Sequence, residues 1–126
     1  MHIIDDYVLQ TVLSKLKQRD WWLDQPGMSW FYRNDYKAAL LCHAFEWTGS
    51  IMILPIIYTY SYRDQLNYNT VGAILVFLFV LNTIAHYRID DMKANLKIIN
   101  LVQDQIAHFI QILFTFSIWV LSIILT

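Results

Sequence analysis

The sequence predicts an all-α integral membrane protein, a helical bundle of three transmembrane helices with an amphipathic helix at the N-terminus. Hydrophobic residues make up 57% of the chain, charged residues make up 15%, and the mean hydropathy is +0.39. This balance is more apolar than that of most soluble domains. Each of three apolar stretches is long enough to cross a bilayer, which takes roughly 20 residues. A chain of 126 residues has room for a single domain.

The amphipathic helix is predicted over residues 1–19. Apolar residues recur along this segment at helical spacing. Lys15, Lys17 and Arg19 fall in what would be its last turn, where cations interact favourably with the helix dipole. The segment is too charged to span comfortably, so we expect it to lie at the membrane interface.

The segment 20–37 is rich in tryptophan and tyrosine and contains Pro26 and Gly27, which is typical of a structured loop or short helix at the level of the lipid headgroups. The transmembrane helices are predicted at 38–60, 70–87 and 101–126. The chain therefore crosses the bilayer three times, with residues 1–37 on one side and the C-terminus on the other.

The distribution of basic residues predicts the orientation. Of the nine Lys and Arg residues, only Arg63 falls on the side opposite residues 1–37. By the positive-inside rule, residues 1–37 face the cytoplasm of a multi-pass inner-membrane protein. The net charge of −1 offers no basic surface for nucleic acid, which we exclude as a partner.

The histidines of the three spans are predicted to share one depth. His43 lies 17 residues before Tyr60, His86 lies 17 after Asn69 and His108 lies 18 before Thr126, so each is roughly 25 Å along a helix from the far side. Carboxylates lie one helical turn away, with Asp90 after His86 and Asp104 before His108. We therefore expect a cluster of imidazoles and carboxylates just inside the cytoplasmic boundary.

Buried carboxylates are costly in a membrane, and a divalent cation converts their mutual repulsion into attraction. The sequence thus predicts a centre of one or two ions of zinc, manganese or iron, a choice that imidazole and carboxylate ligands leave open. The single cysteine excludes a cysteine-type zinc site. The candidate metal ligands are His2, Asp6, His43, His86, Asp90, Asp104 and His108. Gln10 and Gln105 are candidates for orienting these ligands.

The motifs around these residues resemble a known family. They are the opening His2-Ile-Ile-Asp-Asp6-Tyr-Val-Leu-Gln10-Thr11, Leu-Leu-Cys-His43-Ala, His86-Tyr-Arg-Ile-Asp90 followed by Lys93, and Asp104-Gln105-Ile-Ala-His108. In this order they resemble the bacterial and phage membrane proteins grouped as domain of unknown function 3307. The resemblance implies a small membrane protein with a shared polar centre, and it implies no particular activity.

Two classes of function fit these predictions. In the first, the protein is a metal-dependent hydrolase of a phosphate-containing lipid or a nucleotide-derived substrate; Asp104 or Asp6 takes a proton from water and Lys93 meets the phosphate. A two-iron redox site uses the same ligand types and stays open. In the second, the cluster is structural, and the protein is a membrane interaction or assembly protein, with a homo-oligomer among the open states. A metal transporter is disfavoured, because no ionisable groups continue across the spans.

Overall fold

The computed structural model describes residues 12–25 and 32–125, and the regular elements in this part of the chain are helices joined by turns, with no strand. Its helices are α1 (Leu13–Leu16), α2 (Arg19–Leu23), α3 (Asp35–Ser61), α4 (Tyr68–Ala94) and α5 (Leu101–Ile124). The predicted all-α bundle is confirmed.

The long helices α3, α4 and α5 contain 27, 27 and 24 residues and are long and apolar enough to cross a membrane. Their lengths correspond to about 36–40 Å. Each predicted span lies on one of these helices, but α4 continues seven residues beyond the predicted end at Tyr87 and reaches Ala94. Most of their exposed side chains are large and apolar, as a surface that faces lipid requires.

Two of the three long helices, α4 and α5, begin at asparagine side-chain caps, whereas Asn34 before α3 makes no such hydrogen bond. At the start of α4, Asn67 Oδ1 accepts a hydrogen bond from the Thr70 N–H. At the start of α5, Asn100 Oδ1 accepts from the Gln103 N–H and the Gln103 side chain accepts from the Asn100 N–H, at 3.0 and 2.9 Å. This capping box satisfies backbone donors that a helix start leaves unpaired, and it fixes the point at which the chain re-enters the bundle.

The bundle is arranged around α4, which packs against both α3 and α5, whereas α3 and α5 contact each other less. Near the middle, an apolar core is formed by Met52 of α3 with Leu75 and Leu78 of α4. The loops between α3 and α4 and between α4 and α5 are short, so neighbouring helices are antiparallel. The start of α3, the end of α4 and the start of α5 therefore meet at one end of the bundle, which we call the cluster end.

Between the apolar core and the cluster end, uncharged polar side chains join α4 to α5. The Asn82 amide donates to Thr115 Oγ1 at 2.8 Å and accepts from Gln111 Nε2 at 2.8 Å. Asn82 and Thr115 are both buried. Hydrogen bonds between helices are a main source of association in membranes, where the apolar faces have no preference for each other over lipid.

We expect Asn82→Ala to lower the free energy of unfolding by about 1–2 kcal/mol, because it removes both bonds to α5 and leaves Thr115 and Gln111 with fewer partners. The matched control is Thr83→Ala at the next position, because that hydroxyl bonds to Phe79 O on its own helix. Unfolding in mixed detergent micelles measures both variants. Equal losses in the two would show that Asn82 does not fasten α4 to α5.

The predicted helix over 1–19 is wrong at its C-terminal end, and residues 1–11 lie outside the described part. Helix α1 ends at Leu16, Gln18 is extended, and α2 starts at Arg19. Asn95, the residue that follows α4, contacts the chain at this break. Its Oδ1 accepts a hydrogen bond from the Arg19 N–H at 2.7 Å, and its Nδ2 donates one to Lys17 O at 3.3 Å. Asn95 thus stabilises the kink that local helix propensity alone would not produce.

The aromatic segment 20–37 was predicted as a structured loop or a short helix. It begins with the short helix α2, and residues 26–31 lie outside the described part. An exposed ion pair ties α2 to the loop after α4, with Lys97 Nζ 2.7 Å from Asp20 Oδ2. The ammonium of Lys97 lowers the pKa of Asp20, and the carboxylate in turn raises the pKa of Lys97. This pair and Asn95 together place Lys17 and Gln18, the two residues between α1 and α2, against the cluster end.

Candidate metal centre

The three histidines of the long helices meet inside the cluster end, one from each helix. The ring centroids of His43 and His86 are 5.0 Å apart, and those of His86 and His108 are 4.2 Å apart. All three side chains are buried. The prediction that the histidines lie at one depth is confirmed.

Asp90 lies at the centre of this cluster, one turn after His86 on α4. Its Oδ2 is 3.1 Å from His43 Nε2, and its Oδ1 is 3.3 Å from His108 Nε2 and 3.8 Å from His86 Nε2. Only 2% of the residue's surface is exposed. A single carboxylate thus contacts an imidazole from every long helix, an arrangement that both hydrogen bonding and metal binding can use.

Asp104 lies in the first turn of α5, where the sequence placed it, and faces His108 across one helical turn. Its Oδ1 is 3.3 Å from His108 Nε2. Its Oδ2 accepts hydrogen bonds from Lys93 Nζ at 2.7 Å and from Gln105 Nε2 at 3.0 Å. Among the described residues, Asp104 Oδ1 accepts no hydrogen bond. The two oxygens therefore have different surroundings: Oδ2 is held by donors, and Oδ1 points into the cluster.

Lys17 is also a member of the cluster, and its place there was not predicted from the sequence. Its Nζ is 2.8 Å from Asp90 Oδ2 and 3.3 Å from His43 Nε2, and its side chain is only 11% exposed. A signal was present, because Lys17 lies four residues after Leu13 on the apolar face of the N-terminal segment. The prediction instead assigned Lys17 to a favourable interaction with the helix dipole.

Charge is balanced within the cluster. Asp90 is paired with Lys17, and Asp104 is paired with Lys93. Two carboxylates and two ammonium groups offset each other when the imidazoles are neutral, which reduces the cost of burying the acids. The lysine contacts are direct, so the cluster has compensating charge from the protein itself.

Two groups of three residues have the proximity that a metal ion needs. In each group one ligand atom from every residue lies within 4.8 Å of the others, and every residue is buried. The first group is His43, His86 and Asp90, and the second is Asp90, Asp104 and His108. Asp90 belongs to both, as the bridging aspartate of a two-metal site would.

Trp47 covers one side of the cluster and was also missed from the sequence. Its ring stacks on His86 with centroids 4.2 Å apart and planes at 18°, and its centroid is 5.4 Å from that of His108. It is one turn after His43 on α3, and only 3% of it is exposed. An apolar ring in this position limits the motion of the imidazoles and keeps water from that face.

Of the predicted site residues, the structure brings together His43, His86, Asp90, Lys93, Asp104, Gln105 and His108. Gln105 and Lys93 contact Asp104 rather than the centre of the cluster. His2, Asp6 and Gln10 lie outside the described residues.

The chain matches no known protein-family model, no curated protein and no solved structure.

Proposed function

We propose that this protein binds one divalent metal ion between Asp90, Asp104 and His108. The observation that carries the proposal is the position of His108 Nε2, which lies 3.3 Å from both Asp90 Oδ1 and Asp104 Oδ1. Two ligand atoms that bind one tetrahedral ion at about 2.0–2.1 Å are separated by about 3.4 Å. His108 thus has ligand spacing to both carboxylates, and one ligand atom from each of the three residues lies within 4.8 Å of the others.

The second group is favoured over the first because of where the lysines lie. Lys93 contacts the outer oxygen of Asp104, so its ammonium orients the carboxylate and leaves the inner oxygen for an ion. Lys17, in contrast, contacts both Asp90 Oδ2 and His43 Nε2, two of the atoms that the first group would offer. A cation in the first group would have to displace that ammonium.

The reaction that this centre supports is hydrolysis of a phosphate-containing lipid or nucleotide-derived substrate at the membrane surface. A divalent ion supplies an activated water molecule and polarises a phosphoryl oxygen. Asp104 would hold the ion through its inner oxygen, and its outer oxygen accepts hydrogen bonds from Lys93 and Gln105, so the proton of that water would pass to Asp6, the other predicted base. Lys93 has a side chain that is 23% exposed, so it connects Asp104 with the surface from which a phosphate would approach.

The proposal also includes the orientation of the protein in the membrane and the family to which it belongs. The excess of Lys and Arg at the cluster end supports a cytoplasmic position for the centre in a multi-pass inner-membrane protein. The motif resemblance to domain of unknown function 3307 supports membership of that family, whose shared polar positions include the three proposed ligands.

The test is metal content by mass spectrometry on protein purified in detergent without chelators. We expect about one equivalent of zinc, manganese or iron, lost in His108→Gln and kept in His43→Gln, because only His108 belongs to the second group. Circular dichroism confirms that both variants are helical. Wild-type protein without metal, or loss of metal in both variants alike, would contradict the proposed site. Release of phosphate from phosphatidic acid, a polyprenyl phosphate and a nucleotide-linked lipid then tests the reaction.

A structural role is the second candidate, and the charge balance favours it. Lys17 and Lys93 already offset both carboxylates, so the cluster can fasten α1, α3, α4 and α5 without an ion. In that case the protein is a membrane interaction or assembly protein. Supplying zinc, manganese or iron distinguishes the two candidates. If the cluster is purely structural, the protein remains fully folded, free of metal and inactive towards phosphate esters.

A further inference from the structure

A second site lies at the cluster end, on the outer surface between the start of α3 and the end of α4. It is a groove of about 660 Å³. Its walls include Lys37 and Leu41 from α3, and Ile84, Tyr87, Arg88 and Asp91 from α4. None of these side chains is a ligand in either group of the candidate metal centre.

The cations of this groove have no carboxylate partner in the described part of the chain. No ion pair there involves Arg88 or Lys37, and the nearest aromatic contact of Lys37 Nζ is the Tyr36 ring at 5.9 Å. The one acid of the groove, Asp91, accepts a hydrogen bond from Asn95 Nδ2 at 2.7 Å. Two cations and one acid leave the groove with a net positive charge, which favours an anionic ligand.

The lining of the groove changes from charged to apolar along the helix axes. Leu41 lies one turn from Lys37 toward the middle of the bundle, and Ile84 lies one turn from Arg88 in the same direction. Both apolar side chains are more than half exposed, at 53% and 56%. The cations thus lie about 6 Å nearer to the end of the bundle than the apolar residues, which matches the order of phosphate and acyl chain in a lipid.

We propose that this groove binds an anionic phospholipid, with the phosphate between Lys37 and Arg88 and an acyl chain along Leu41 and Ile84. Basic pockets between transmembrane helices are suited to anionic headgroups. A zwitterionic lipid fits less well, because its own cation would meet Lys37 and Arg88. This site goes beyond the proposed metal-dependent function and does not rest on it.

The experiment is native mass spectrometry of the detergent-purified full chain with phosphatidylglycerol or phosphatidylcholine of identical acyl chains. We expect the wild type to bind phosphatidylglycerol at least tenfold more tightly, about the effect of two basic residues at a lipid surface. Lys37→Gln/Arg88→Gln should lose this preference. The control Lys15→Gln/Arg33→Gln removes two cations that do not line the groove and should keep it.

Equal affinity for the two lipids, or an equal loss in the control variant, would overturn the proposal. Soluble glycerophosphoglycerol distinguishes a lipid site from a simple anion site, because it lacks acyl chains and should not compete at lipid-like concentrations; full competition would also overturn the proposal. His108→Gln separates this site from the metal centre. It should keep the lipid preference, and Lys37→Gln/Arg88→Gln should keep its metal.

Discussion

Asp90→Asn should abolish the proposed metal binding and lower the free energy of unfolding by about 3–5 kcal/mol. Asp90 contacts His43 and His108 and pairs with Lys17 at 2.8 Å, with only 2% of its surface exposed. Removing one charge from a buried pair leaves the other uncompensated, and the cost of that exceeds the loss of an ordinary hydrogen bond. Asparagine keeps the shape of the side chain, so packing contributes little to the change.

Metal content and unfolding in mixed micelles measure this variant beside Asp91→Asn, a matched change at the next position. Asp91 bonds to Asn95 outside the cluster and should lose less than about 1 kcal/mol and no metal. The double variant Lys17→Met/Asp90→Asn removes both charges and should recover most of the stability without recovering the metal. An Asp90→Asn protein with wild-type stability and metal content would show that Asp90 is not the centre of the cluster.

The histidine cluster could be predicted because regular helices convert sequence spacing directly into depth. His43, His86 and His108 lie on uninterrupted helices, so a rise of about 1.5 Å per residue was enough to place them at one level. Asp104 followed from its spacing to His108 for the same reason.

The position of Lys17 on the apolar face indicated burial, but its partners could not be predicted, because they depend on a tertiary contact. Residues 1–19 have a helical pattern throughout, yet the helix stops at Leu16 and Gln18 is extended. The break is stabilised by Asn95, which is 78 positions along the chain from Lys17. Local pattern carries no information about such a partner, and the same holds for Trp47, whose stacking on His86 depends on how α3 and α4 face each other.

Lys17→Met should raise the number of bound metal ions from one to two. In the wild type the ammonium of Lys17 contacts two atoms of the first group, Asp90 Oδ2 and His43 Nε2, and so competes with any cation there. Methionine is a poor ligand for zinc or manganese beside carboxylate and imidazole, and its length fills a similar space without the charge. The first group of His43, His86 and Asp90 then becomes accessible to a second ion, with Asp90 as the bridge.

The same variant should be less stable than the wild type without metal and should regain stability when metal is added, because an ion replaces the missing positive charge beside Asp90. Metal content after dialysis and thermal unfolding with and without zinc measure both effects. Lys15→Met is the control, since Lys15 is exposed two positions earlier and should change neither quantity.

A Lys17→Met protein that is destabilised and still binds one ion would show that the first group is not a metal site. One that binds no ion would show that Lys17 holds Asp90 in position for the second group. In the proposed centre, the ammonium of Lys17 thus limits the cluster to one ion, and Lys17→Met tests that limit.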